Sequence, residues 1–177
     1  MNNTNQYDII IIGSGPAGYT AAIYAGRAGY TSAVFEKMSP GGQMGITSSI
    51  ENYPGYTEID GFSLTEKMMK QAKKFGAVIK NEEVVSAELS GEIKLIKTKK
   101  EEYSARVVII ATGARPRYLS VPGEREFTGR GVSYCASCDG MFYKGKTVIV
   151  NGGGDTAIED AMYLSNICEK VIVIHRR

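Results

Sequence analysis

The sequence predicts an α/β protein made of two doubly wound units, each a mostly parallel sheet between layers of helix. Three observations predict it. One segment occurs twice, from Tyr7 to Glu36 and from Lys146 to His175, at a constant offset of 139 residues with no insertion. The aliphatic runs in both copies are continuous rather than alternating, as in strands buried on both faces. Each first run ends in clustered glycines, succeeded by a stretch that suits a helix and then a second aliphatic run. Strand, helix and parallel strand make a right-handed crossover.

The glycines of the first copy are Gly13, Gly15 and Gly18, a G-x-G-x-x-G placed at a strand end and helix start. The first permits a tight turn, the second lets backbone approach a pyrophosphate, and the third allows helix to pack closely on strand. The helix N-terminus adds free N–H groups and a partial positive charge. Gly152, Gly154 and Ala157 fill these places in the second copy. Placement and repetition together predict two Rossmann-like nucleotide sites, against the plainer reading of two ordinary glycine-rich loops. The helix of the second copy carries Ile158, Met162 and Ser165 or Asn166 at helical spacing, with Ala157 and Ala161 keeping it thin against a sheet.

The two copies differ at the end of the second strand. Glu36 lies 23 residues after Gly13, where an acidic side chain accepts hydrogen bonds from ribose hydroxyls. The equivalent position holds His175, with Arg176 and Arg177 next to it. Guanidinium groups suit a ribose phosphate, so the second site should prefer NADP(H) and the first an adenosine without that phosphate. The competing reading of H-R-R is a solvated basic strand end.

Between the copies stands S-Y-C-A-S-C-D-G, with Cys135 and Cys138 as C-x-x-C. The spacing can close a disulfide and often lowers a thiol pKa. A zinc site normally needs four ligands; the remaining candidates are Cys168 and His175, so no metal is expected. Asp139 comes directly after the pair. It can serve as a proton carrier for a leaving thiolate, or simply as the turn residue of D-G. Cys168 reads as a small packing group. A nicotinamide site, a second dinucleotide site and a cysteine pair suggest an electron route, with NADPH and FAD as cofactors.

The remaining segments place these motifs. Ser63 and Glu66 read as a capping box, opening a helix with Leu64, Met68, Ala72 and Phe75 on one face and an end at Gly76. From Val84 to Tyr103 the pattern alternates about Gly91, as in an antiparallel hairpin. Arg106 to Ala111 reads as a buried strand. Proline and glycine in Arg115–Pro116 and Val121–Glu124 mark a crossing between domains. The division is 1–114 for FAD and 115–177 for NADPH with the cysteine pair.

Composition excludes several classes. The 177 residues are 43% apolar and 23% charged, against wholesale disorder, and 21 are glycine. A net charge of +2 leaves no footprint for nucleic acid. The longest aliphatic run, Ile9 to Ile12, is far short of the roughly 20 residues a membrane helix needs. The N-terminus lacks the pattern of a secretory signal, and three cysteines make no disulfide framework, so the cytoplasm is the expected compartment.

The motifs G-S-G-P-A-G-Y-T-A-A-I-Y-A, G-G-Q, E-N-Y-P-G, I-I-A-T-G-A, C-A-S-C-D-G and G-G-G-D-T-A with H-R-R, in this order, resemble the low-molecular-weight bacterial thioredoxin reductase family over nearly the whole chain. The resemblance implies that Gly13, Ser14, Gly15, Pro16, Ala17 and Gly18 cradle the FAD pyrophosphate and that Glu36, with Lys37 beside it, holds the ribose. Gly41, Gly42, Gln43 and Asn52 would line the flavin, Val84 would meet the adenine, and Ala111, Thr112 and Gly113 would close the site. Cys138 would face the flavin, Cys135 would attack the substrate disulfide, and Asp139 would carry the proton. Gly152, Gly154, Asp155, Thr156, Ala157, His175, Arg176 and Arg177 would bind NADPH. The family further implies thioredoxin or a thioredoxin-like partner, a homodimer in the full-length parent, and rotation of one domain against the other.

Two departures stand out. Asn151 replaces an apolar residue before the second glycine cluster. The family is also considerably longer, so both the second domain and the C-terminal part of the first are expected to be incomplete here, as in a truncated chain. A reductase feeding a peroxidase, or a non-catalytic nucleotide-binding fragment, are the alternative readings. Ferredoxin-driven relatives lack the NADPH motifs.

Overall fold

The structure is a computed structural model that describes residues 5–37 and 40–176. The chain forms two compact units that meet between Arg115 and Pro116.

In the first unit, β1 (Gln6–Ile12), α1 (Pro16–Arg27), β2 (Ser32–Glu36), α2 (Gly61–Lys74), β3 (Val78–Asn81), β4 (Val84–Glu88), β5 (Lys94–Thr98) and β6 (Glu102–Ile110) build one six-stranded sheet with two helices. Its order is β3-β2-β1-β6-β5-β4. The first four of these neighbours run parallel, and β5 and β4 are added antiparallel. The isoleucine run puts β1 at the centre, where consecutive side chains point to opposite faces and both are covered. Ile11 packs with Val34, Tyr19, Ala22, Leu64, Met68 and Ala72 under the helices. Ile10 joins Phe35, Ile96 and Tyr103 in a second cluster supplied by the strands themselves. There the Phe35 and Tyr103 rings meet edge to face, with centroids 4.8 Å apart.

The hairpin about Gly91 forms as the alternation predicts. The expected helix also forms, with Leu64, Met68 and Ala72 buried, and Gly76 beyond its end at φ +89°. Its start differs from expectation. The cap is Asp60, whose carboxylate accepts the Ser63 N–H at 2.9 Å, so Ser63 lies inside the first turn. Both D-x-x-S and S-x-x-E satisfy the local rule; Asp60 prevails because its backbone is extended while Gly61 is already helical. A second difference is β6. It begins at Glu102, because its first half pairs with β5, and it is not buried on both faces: Val107 and Ile110 are exposed.

In the second unit, α3 (Ala136–Asp139) and a 3₁₀ turn (Gly140–Tyr143) precede β7 (Thr147–Asn151), α4 (Asp155–Ser165) and β8 (Lys170–Ile174). The strands β7 and β8 form a two-stranded parallel sheet. The expectation that these runs are buried on both faces is overturned, since Ile149, Ile172, Val173 and Ile174 are exposed. Among the described residues, one helix covers one face of these two strands. Ala161 and Leu164 turn inward on α4, whereas Ile158 and Met162 face out. Cys168 is free and buried, as its packing role predicts.

The two copies of the repeat share their strand register residue for residue. Ile9 pairs with Ser32 and Ile12 with Phe35; Val148 pairs with Val171 and Asn151 with Ile174. The Gly13 N–H donates to the Phe35 carbonyl at 2.8 Å and the Gly152 N–H to the Ile174 carbonyl at 2.9 Å. No helix among the described residues is long and apolar enough to cross a membrane.

Candidate functional site

The first glycine loop lies between β1 and α1. Gly13 has φ +110°, and a Cβ there would sit 2.2 Å from the Ala111 carbonyl oxygen. A Cβ on Gly18 would sit 1.9 Å from the Gly13 carbonyl oxygen. These two positions therefore exclude any side chain. Gly15 is different. It is the N-cap of α1, Pro16 takes the first helical position, and among the described residues a Cβ on Gly15 would meet only the Gly41 carbonyl at 3.9 Å. Gly42 looks back at it, with Gly15 Cα 3.9 Å from its own hypothetical Cβ. Two stretches of bare backbone thus face one another at a helix N-terminus, the arrangement a pyrophosphate needs.

Ser14, fully buried, ties the loop to its surroundings. Its hydroxyl donates to Glu36 Oε2 at 2.7 Å, and its N–H reaches the same oxygen at 3.3 Å. Its carbonyl accepts the Gly41 N–H at 3.1 Å. Glu36 Oε1 accepts the Lys37 N–H at 2.8 Å. Ala111 closes on β1 through its N–H to the Ile12 carbonyl at 2.8 Å, and Thr112 Cα would lie 3.2 Å from a Gly13 Cβ. The Gln43 amide donates to the Ala114 carbonyl. Gly13, Ser14, Gly15, Pro16, Gly18, Glu36, Gly41, Gly42, Ala111 and Thr112 are therefore brought together; Ala17 and Gly113 adjoin them in sequence. Val84 packs partly buried against the Phe35 cluster. Asn52 is exposed in the loop between the paired residues Ile50 and Ile59, and Lys37 turns to Glu83 at 3.7 Å.

The second loop has the same form. Gly152 has φ +145° and Gly154 caps α4, with nothing among the described residues within 4 Å of where its Cβ would be. Asp155 and Thr156 open the helix and Ala157 lies against Gly152. The His175 ring occupies the room beside Gly153, where a Cβ would come within 2.5 Å of it. Arg176 is exposed. Arg177 lies outside the described residues.

In the same unit Cys135 and Cys138 are joined as a disulfide, with their Cα atoms 5.3 Å apart. Asp139 donates its N–H to the Cys135 carbonyl at 3.1 Å. Its carboxylate accepts the Ser133 hydroxyl at 2.5 Å, and Ser133 Oγ in turn accepts the Cys135 N–H at 3.1 Å. Sequence reasoning missed Ser133, since nothing in S-x-C marks it before the turn is folded. It also missed Glu124, which is 5% exposed and sits in a segment read only as a crossing. Glu124 accepts the N–H groups of Leu119 at 2.8 Å and Ser120 at 2.6 Å, and the Tyr134 hydroxyl at 2.9 Å. The Leu119 N–H is the largest influence holding its carboxyl below the usual range. A cleft of about 730 Å³ opens beside the pair, lined by Tyr134, Cys135, Asn151, Thr156 and Asp160 among others.

The family model described as pyridine nucleotide-disulphide oxidoreductase matches residues 7–177. The thioredoxin reductase of Bacillus subtilis (strain 168) is 49% identical over 177 residues, all of this chain and 56% of that protein. The thioredoxin reductase of Peptoclostridium acidaminophilum is 51% identical over 174 residues, 98% of this chain and 55% of the relative. The crystal structure of thioredoxin reductase from Streptococcus pyogenes MGAS5005 has a TM-score of 0.90 at 49% identity, covering 99% of this chain and 57% of that one. The chain thus spans about half the length of the curated relatives it matches.

Proposed function

This chain belongs to the pyridine nucleotide-disulphide oxidoreductase family, and we propose that it carries the cofactor loops and the redox pair of an NADPH-dependent thioredoxin-disulfide reductase. The observation that carries the reading is the Cys135–Cys138 disulfide, held in the same unit as the second glycine loop. The names of the relatives support thioredoxin, or a small protein like it, as the substrate.

In this reading the first unit binds FAD. The loop Gly13–Gly18 offers N–H groups to the pyrophosphate and Glu36 accepts from the ribose. Gly41, Gly42, Gln43, Asn52, Val84, Ala111, Thr112 and Gly113 surround the rest. The second unit binds NADPH through Gly152, Gly154, Asp155, Thr156 and Ala157, with His175, Arg176 and Arg177 toward the ribose phosphate. Bound FAD would supply the two-electron step between nicotinamide and sulfur. The chain's own chemistry is thiol–disulfide exchange. Asp139 takes the Cys135 thiol proton, the resulting thiolate attacks one sulfur of the partner disulfide, that S–S bond breaks, and Asp139 returns the proton to the displaced sulfur. Cys138 then gives its proton to Asp139 and attacks the Cys135 sulfur of the mixed disulfide, which restores the internal bond; the second partner sulfur leaves with that proton and the partner departs as a dithiol. The family resemblance supports the cytoplasm as the setting of this activity and a homodimer as its assembly.

The test is flavin absorbance of the purified protein and then anaerobic NADPH titration. Cys138→Ser should leave flavin reduction intact and abolish turnover of a protein disulfide. Turnover that persisted in that variant would remove the pair from the mechanism.

A further inference from the structure

Three hydrogen bonds around the cysteine pair close a ring. Cys135 N–H donates to Ser133 Oγ at 3.1 Å, Ser133 Oγ–H donates to Asp139 Oδ2 at 2.5 Å, and Asp139 N–H donates to the Cys135 carbonyl at 3.1 Å. Ser133 Oγ also lies 3.3 Å from the Cys135 carbonyl. A hydroxyl has one proton to give. The carboxylate is the closer and the charged acceptor, so it receives that proton. The Cys135 carbonyl is meanwhile satisfied by the Asp139 N–H. Among the described residues, Asp139 Oδ1 has no hydrogen-bond partner.

We propose that Ser133 is a positioning residue for Asp139: its hydroxyl ties Oδ2 to the Cys135 backbone and leaves Oδ1 as the oxygen that exchanges a proton with the cysteine pair. The inference rests on the proton role proposed for Asp139. Among the described residues, Ser133 makes no hydrogen bond to either sulfur, and it acts through the carboxylate. Without its hydroxyl, Asp139 would lose the hydrogen bond that fixes its carboxylate and would be held by its backbone N–H to the Cys135 carbonyl.

The reaction that reads this needs no cofactor. A dithiothreitol thiol attacks one sulfur of the Cys135–Cys138 bond, and Asp139 Oδ1 takes the proton released. The S–S bond breaks, and Asp139 returns the proton to the displaced sulfur. The reagent's second thiol then closes its own ring, and the proton it gives up goes to the freed cysteine sulfur. Two electrons pass to the pair and the reagent leaves as a cyclic disulfide.

The experiment tracks this reduction in the full chain by trapping free thiols with iodoacetamide and weighing the product, near about pH 6, where a displaced thiolate needs its proton. Ser133→Ala should slow it about tenfold and Ser133→Thr, which keeps the hydroxyl, should stay within about twofold of the parent. Asp139→Asn should slow it at least as much as Ser133→Ala. Adding Ser133→Ala to Asp139→Asn should slow it no further, a coupling that general loosening of the loop would not produce. An unimpaired Ser133→Ala beside a slow Asp139→Asn would overturn the positioning role alone. So would equal slowing by Ser133→Ala in both backgrounds. An unimpaired Asp139→Asn would overturn the proton role of Asp139, and this inference with it.

Discussion

Glu36 Oε2 accepts the hydroxyl of Ser14 at 2.7 Å, so the end of β2 is bonded to the second residue of the first glycine loop. One repeat further on, His175 presses its ring against Gly153, the residue equivalent to Ser14. The same two positions meet in both copies, but the contact is polar in one and steric in the other. The first of these strands therefore ends in a carboxylate and the second in an imidazole followed by Arg176.

Glu36→Ala should accordingly act twice. It leaves the buried Ser14 hydroxyl without its acceptor, at a cost of about 1–3 kcal/mol to the first unit. It should also weaken FAD binding by about tenfold or more through the lost ribose contact. Urea unfolding and flavin fluorescence titration measure the two separately, and FAD binding at parental strength would exclude Glu36 as a ribose ligand.

The glycines divide by the room around them. Gly18→Ala puts a Cβ 1.9 Å from the Gly13 carbonyl, so β1 and α1 must separate. A loss of roughly 2 kcal/mol or more is expected in denaturant melts. Gly154→Ala meets open space; its stability should change by less than about 1 kcal/mol while NADPH binding falls. Equal destabilisation by both substitutions would contradict the geometry.

Arg176→Ala should raise the Kd for NADPH by about tenfold and leave that for NADH nearly unchanged, since only the former carries the extra phosphate. Nicotinamide fluorescence in the presence of the protein reads both. An equal loss for the two nucleotides would return H-R-R to a solvated strand end.

Glu124→Gln tests an expected acid sensitivity of the second unit. The Glu124 carboxyl is depressed in the fold by the Leu119 N–H first, with the Tyr134 hydroxyl and the Ser120 N–H adding to it. A depressed carboxyl contributes stability that is complete above its unfolded value and is lost as pH falls through the folded one. Melts between about pH 7 and pH 3 should therefore show a loss in the acid range below the ordinary carboxylate value. Glu124→Gln should be less stable at neutral pH and should flatten that dependence. An unchanged slope would assign the acid sensitivity to other carboxylates.

The repeat, the two glycine loops, the C-x-x-C and the hairpin at Gly91 were all determined by the sequence by itself. Each depends on spacing within a short stretch, and backbone sterics or a three-residue loop act at that range. The tertiary structure alone decided which of two local solutions prevails. Asp60 rather than Ser63 caps α2, because the chain turns helical at Gly61. Ala161 faces the sheet as its small side chain predicts, but Leu164 rather than Ile158 and Met162 joins it there, because both rows have helical spacing and only the position of β7 and β8 selects between them. Ser133 meets Asp139, and Glu124 meets Tyr134, only once the chain has turned between them. A hydrogen bond between residues six or ten apart depends on the direction of the intervening backbone, and no composition or periodicity records that direction.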